Sequence, residues 1–128
     1  MSKLRIIKCQ DTPAAIGPYS QAVAAGGFLF ISGQIPIDPG TGSIVSGGIE
    51  EQTEMVLKNI ENILIFSGLG LFDVVKTTVY LNDLKNFEKF NGVYGKFFEI
   101  DPPARATVEV SNLPKGSLVE IDAIAVIK

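Results

Sequence analysis

The apolar and polar positions of the chain fall into short alternating runs broken by two stretches of helical period. Lys3 to Cys9 alternates and predicts a first strand. Ser20 to Ala25 and Phe28 to Ser32 flank Gly26-Gly27, where both turn positions accept positive φ, so a tight hairpin is predicted. Ile35 to Gly48 is rich in Pro and Gly and reads as loop. From Ile49 onward, Thr53, Val56, Ile60, Ile63 and Leu64 recur at helical spacing and form one apolar stripe. Glu50, Glu51 and Glu54 occupy its first turns, where the macrodipole favours negative charge, and Gly68 supplies the stop.

Val74 to Leu81 alternates and is β-branched, which predicts a strand. Asn82-Asp83 then leads into a second helix whose buried face is Phe87, Phe90, Val93, Tyr94 and Phe97. Gly92 and Gly95 lie inside it and each costs about 1 kcal/mol relative to Ala, so close packing is expected at these positions. Asp101-Pro102-Pro103 ends the helix. Two strands close the chain, Arg105 to Val110 and Leu118 to Ile127, joined by a loop containing Asn112, Pro114 and Gly116.

The order β, ββ, α, β, α, ββ predicts one α+β domain over residues 1–128, with two helices packed on one face of a mixed β-sheet. Phe28 to Ile31 and Ala123 to Ile127 are apolar on both faces. Two helices cover only one face of such a sheet, so the other is expected to be buried by further copies of the chain, as an obligate homo-oligomer.

Composition narrows the chemistry. The 128 residues are 46% hydrophobic and 20% charged, enough for a sizeable core. A net charge of −3 supplies no global field for phosphate backbones, which argues against nucleic acid as a partner. With no histidine, neither Ser-His-Asp nor Cys-His catalysis nor a His-ligated metal is available. Cys9 is the only cysteine, so no disulfide framework forms within one chain. MSKLRIIKCQ lacks the long apolar core of a secretory leader, and no apolar run approaches the roughly 20 residues of a membrane span. A cytoplasmic protein without membrane association is expected.

Three places interrupt the apolar pattern with polar groups. Arg105 opens a strand after two prolines, either pointing into water or gripping a carboxylate with its planar fork. Glu120 shares a face with Asp122, Ile124 and Val126, at a solvated strand end or at the rim of an interface, where burial would raise its pKa. The stretches Gly17-Pro18-Tyr19-Ser20-Gln21 and Ile31-Ser32-Gly33-Gln34 combine glycine with neutral hydroxyls, which suits either a turn or close approach of a ligand.

The segments GPYSQAV, FISGQIP, DVVKTTVYLND, PPARATVEV and LPKGSLVEIDAIAV, in this order, closely resemble the RidA/YjgF family of enamine/imine deaminases, and the likeness spans nearly the whole chain. The resemblance implies a chorismate-mutase-like fold assembled as a homotrimer with a barrel-like core and inter-subunit clefts. It implies hydrolysis of 2-aminoacrylate, 2-aminocrotonate and their imine tautomers to 2-keto acids and ammonia, without cofactor or metal. It assigns the substrate carboxylate to Arg105 and the water and proton transfers to Glu120. Tyr19 would line the cleft, Ser32 and Gly33 would border it, and Asn91 would reach it from the second helix. Thr107 stands where many members carry Cys, which leaves a hydroxyl in place of an oxidisable thiol. The Glu99 to Pro103 connection is shorter than in many relatives, which bears on the rim of the pocket. A non-catalytic sensor of small carboxylates would keep Arg105 without needing Glu120. A ribonuclease or translation inhibitor is a further role attached to this family, against which the net charge of −3 and the lack of a His general base count, and a chaperone-like holdase is a reading open to a stable oligomer.

Overall fold

The computed structural model describes residues 4–128, so Lys3 of the expected first strand lies outside it. The chain runs β1 (Leu4–Ile7), β2 (Ala22–Ala25), β3 (Phe28–Gln34), β4 (Ile37–Asp38), β5 (Ser43–Ile44), α1 (Ile49–Phe66), β6 (Val74–Leu81), α2 (Phe87–Phe97), β7 (Ala104–Glu109) and β8 (Val119–Val126). Six strands form one sheet in the order β1-β2-β3-β8-β6-β7. Only β6 and β7 are parallel, joined by the α2 crossover; the other pairings are antiparallel. The architecture is the α+β arrangement expected from the sequence.

Local chemistry accounts for the boundaries. Gly26 and Gly27 both have positive φ (59° and 85°), as a two-residue hairpin with the right-handed strand twist requires. At the start of α1, the Gly48 N–H donates to Glu51 Oε1 at 2.8 Å. That hydrogen bond holds the Glu51 carboxyl below its ordinary pKa. At the other end the Gly68 N–H donates to the Ile65 carbonyl and the Leu69 N–H to the Leu64 carbonyl, the paired bonds of a Schellman stop. Gly68 takes the left-handed φ of 81° that the stop demands.

The sheet has two unequal faces. On one, Leu29, Ile31, Val79, Leu81, Val119 and Ile121 are buried against Val56, Leu57, Ile60, Ile63 and Leu64 of α1 and Phe90 of α2. Each such side chain contributes about 1.5–3 kcal/mol of burial, so this layer dominates the fold's stability. On the other face Phe28 and Phe30 remain 40% and 44% exposed, beside Val126 and Ile6. Their side chains alternate with the buried ones along the same strands, so the chain leaves an apolar sheet face open.

Three expectations need correction. The stretch Ile35 to Gly48 is not all loop: the two-residue strands β4 and β5 pair antiparallel, tied to α1 by Asn59 Nδ2 donating to the Ile37 carbonyl at 2.9 Å. Such short strands carry too little periodicity to be seen in sequence. Gly92 and Gly95 do not mark close packing; both are exposed, and a Cβ at either would meet nothing within 4 Å. On α2 only Phe90 and Tyr94 of the five expected residues are fully buried, while Phe87 is exposed. The helix lies by β6 and the edge strand β7, where its rings meet Thr77 and Arg105.

Candidate active site

The expected residues fall into two clusters on opposite faces of the sheet. The first is built around a bulge. Ile31 pairs with Ala123 and Gln34 with Ile121, so Ser32 and Gly33 together oppose the single residue Asp122. A bulge bends the strand and re-aims its backbone, and here it brings Gly33 beneath the Glu120 side chain. A Cβ at Gly33 would lie 2.9 Å from Glu120 Cδ and closer still to Oε2. Only glycine leaves room for the carboxyl. Glycine is needed for its missing side chain, since its φ is ordinary.

Glu120, Gly33, Tyr19, Gln34, Ile35 and Lys115 contribute to one cavity of about 430 Å³. Burial raises the Glu120 pKa, and the Asp122 carboxylate on the same face raises it further. Asp122 is itself held by Tyr80, whose hydroxyl donates to Oδ2 at 3.1 Å. A carboxyl so placed keeps its proton to higher pH than a solvated one and can exchange it with a bound molecule. Tyr19 is 53% exposed at the cavity mouth. Ser32 lies just outside the lining, and its hydroxyl donates to the Ser20 carbonyl at 2.6 Å, tying down the segment that carries Tyr19.

The second cluster belongs to the helix-covered face. Arg105 pairs with Thr77 across the β6–β7 ladder and points toward α2. Its Nη1 donates to Asn91 Oδ1 at 2.9 Å. The guanidinium carbon lies 4.8 Å from the centroid of Tyr94, 5.5 Å from Phe87 and 5.6 Å from Phe90. Ion pairs among the described residues are Lys58–Glu54 and Lys128–Asp73; Arg105 takes part in neither. It is a half-buried cation with aromatic and amide contacts and no carboxylate. Asn91, Gly95, Pro102, Pro103 and Arg105 edge a shallow pocket, which the bare flank of Gly95 helps to keep open. Thr107, two residues along the same face of β7, has its hydroxyl oxygen buried without a hydrogen-bond partner.

Arg105 and Asn91 are thus brought together, as are Glu120, Gly33 and Tyr19, but the cavity that Glu120 lines does not include Arg105, and the pocket that Arg105 edges does not include Glu120. The aromatic support beneath Arg105 was not legible in sequence. Phe90 and Tyr94 at helical spacing read as core, and only the proximity of β7 turns them into a cation platform.

A family model described as endoribonuclease L-PSP matches residues 9–127. The chain belongs to the RidA/YjgF family. It is 57% identical over 120 residues to a RutC family protein of Pyrococcus horikoshii, covering 94% of this chain and 95% of that one. It is 47% identical over 122 residues to the human 2-iminobutanoate/2-iminopropanoate deaminase, covering 95% of this chain and 89% of the human one. Among solved RidA/YjgF-type structures, E. coli TdcF with bound serine superposes with a TM-score of 0.92 at 42% identity, over 97% of this chain and 99% of that chain. No helix among the described residues is long and apolar enough to cross a membrane.

Proposed function

We propose that this RidA/YjgF protein hydrolyses 2-imino acids, the tautomers of 2-aminoacrylate and 2-aminocrotonate, to 2-keto acids and ammonia, in sites completed between copies of a homotrimer. The observation that carries this reading is Arg105: a half-buried guanidinium held by Asn91 and three rings, with no carboxylate partner among the described residues. Such a group is ready for an anionic ligand, and a planar fork matches a carboxylate. The deaminase name of the human relative, and the serine bound by TdcF, are consistent with a 2-amino-acid skeleton as ligand.

The chemistry needs only the groups present. Arg105 holds the carboxylate, which fixes C2 of the imine. Glu120 takes a proton from a water as its oxygen adds to C2, forming a C–O bond while the C=N π electrons pass to nitrogen. The same carboxyl returns that proton to nitrogen, giving a carbinolamine; it then takes the proton of the new C2 hydroxyl and passes it to nitrogen, so that the oxygen electrons form C=O as the C–N bond breaks and ammonia leaves a 2-keto acid. A raised pKa suits a group that must both accept and return a proton. Tyr19, at the cavity mouth, would border the substrate, and Thr107 would offer the second cluster a free hydroxyl.

Assembly enters because Glu120 lies on the open face and Arg105 on the covered one. Burying the apolar face of Phe28, Phe30 and Val126 against a neighbouring copy would remove exposed hydrocarbon from water and bring unlike clusters together. A second reading, RNA cleavage, is favoured by the endoribonuclease description of the family model.

Mixing separates these possibilities. Arg105→Ala and Glu120→Ala are each expected to be inactive toward 2-aminocrotonate generated by a threonine dehydratase. Trimers reassembled from both variants should regain turnover, because some interfaces then hold an intact Arg105 and an intact Glu120. Inactive mixed trimers would reject the shared site. RNA cleavage that survives in Arg105→Ala, with no effect on imine decay by the unmodified protein, would favour the second reading.

A further inference from the structure

Arginine is a poor anchor unless something fixes it. Its side chain has several rotatable bonds, and ordering it when a ligand arrives costs affinity. Tyr94 is the nearest of the three rings to the guanidinium, at 4.8 Å, and is only 5% exposed. It alone of the three has a polar end that is tied down: its hydroxyl shares a 2.8 Å hydrogen bond with Thr77 Oγ1. Thr77 is fully buried, and it is the residue that pairs with Arg105 across the ladder. The contacts therefore close a ring, from Arg105 through the strand pairing to Thr77, through its hydroxyl to Tyr94, and back through the aromatic face to Arg105. Phe90 and Phe98 flank Tyr94 at centroid distances of 5.3 and 4.8 Å, which leaves the ring little freedom to tilt.

We propose that Tyr94 is a positioning residue that, pinned by Thr77, holds the Arg105 guanidinium in the pose that receives a carboxylate. The proposal rests on the reading of Arg105 as the carboxylate anchor. The hydroxyl is held by Thr77. Burial pushes its pKa up, against the opposing pull of the Thr77 bond and the neighbouring Arg105 charge, so it keeps its proton. What Tyr94 supplies is an electron-rich face at a fixed height. A cation–π contact of this kind strengthens as water is excluded from it.

The test compares Tyr94→Phe, Tyr94→Leu and Thr77→Val with the unmodified protein, using pyruvate binding by calorimetry and steady-state kinetics with 2-aminocrotonate. Melting curves check that each variant is folded. Tyr94→Leu should raise the pyruvate Kd and the KM roughly tenfold with kcat changed by less than about threefold. Tyr94→Phe and Thr77→Val, which keep the ring but release its pin, should raise Kd by about threefold. In an Arg105→Lys background, where the planar fork is already gone, Tyr94→Leu should cost less than about threefold. Folded Tyr94 variants with unchanged Kd and KM would overturn the proposal, as would an equal loss in both backgrounds, which marks simple packing. Arg105→Ala is the control for the underlying reading. If it binds pyruvate as the unmodified protein does, the carboxylate anchor is wrong and the positioning role falls with it. If it loses binding while Tyr94→Leu and Tyr94→Phe do not, only the positioning role fails.

Discussion

The two clusters lie on one sheet and are prepared in opposite ways. Arg105 is fixed by side chains: three aromatic rings and an amide from α2, on the face the helices cover. Glu120 is placed by backbone: a bulge in β3 and the bare Cα of Gly33 give its carboxyl a berth on the open face. On the proposed roles, the difference follows from what each group would have to do. Guanidinium stays charged at any ordinary pH, so only its position needs control. A carboxyl that moves protons must have its proton affinity adjusted, and here burial and the Asp122 charge do that.

The largest effect is expected from a change that keeps the clusters apart. Phe30→Asp puts a charge in the middle of the open face, 44% exposed in the protomer, and touches neither cluster. The chain should stay folded, with stability changed by no more than about 1 kcal/mol, while sedimentation shows monomer and imine hydrolysis falls to background. An assembled, active Phe30→Asp would mean that the open face is not where copies meet.

Next in size are changes within one cluster. Glu120→Gln keeps shape and hydrogen bonding but not proton transfer, so kcat should fall by about a hundredfold or more while pyruvate still binds through Arg105. Equal losses of binding and turnover would show that Glu120 holds the substrate. Gly33→Ala should act more gently. The added Cβ would displace the far end of the Glu120 side chain without straining the backbone, so a kcat loss of about tenfold with little change in melting is expected. A wild-type rate for Gly33→Ala would show that the berth is not needed.

The same contrast explains what could be read from sequence. Val74–Leu81 appeared as a strand residue for residue, and α1 from Ile49, because burial on one face imposes a clear period. The bulge at Ser32-Gly33 was hidden, since one extra residue in a strand leaves no periodic trace; the expected strand stopped at Ser32 and β3 continues to Gln34. Arg105 and Glu120 stood out as polar residues in apolar surroundings. Their placement on opposite faces did not, because it depends on which strands are neighbours. β7 pairs parallel with β6, and this register sets Arg105 beside Thr77 under α2, while the antiparallel β8–β6 register sets Glu120 beside Tyr80.

The smallest effect concerns the proton on Glu120. Its folded pKa lies above the unfolded value, so between those two values the folded chain binds more protons than the unfolded one. Stability from this group is therefore greatest below the ordinary carboxylate pKa of 4.5 and declines as pH rises through the folded value. Glu120→Gln, which cannot ionise, escapes that decline. Its melting temperature relative to the unmodified protein should rise from pH 4 to pH 7, and the gap should narrow in Asp122→Asn, where the second cause of the raised pKa is gone. The acid limb of kcat should move down in the same Asp122→Asn variant, toward the value of a solvated carboxyl. A limb that stays in place would separate Asp122 from the proton chemistry and leave burial alone to set it. An unchanged melting difference across this pH range would mean that Glu120 titrates as an ordinary surface acid, and the contrast between a positioned cation and a tuned acid would lose its second half.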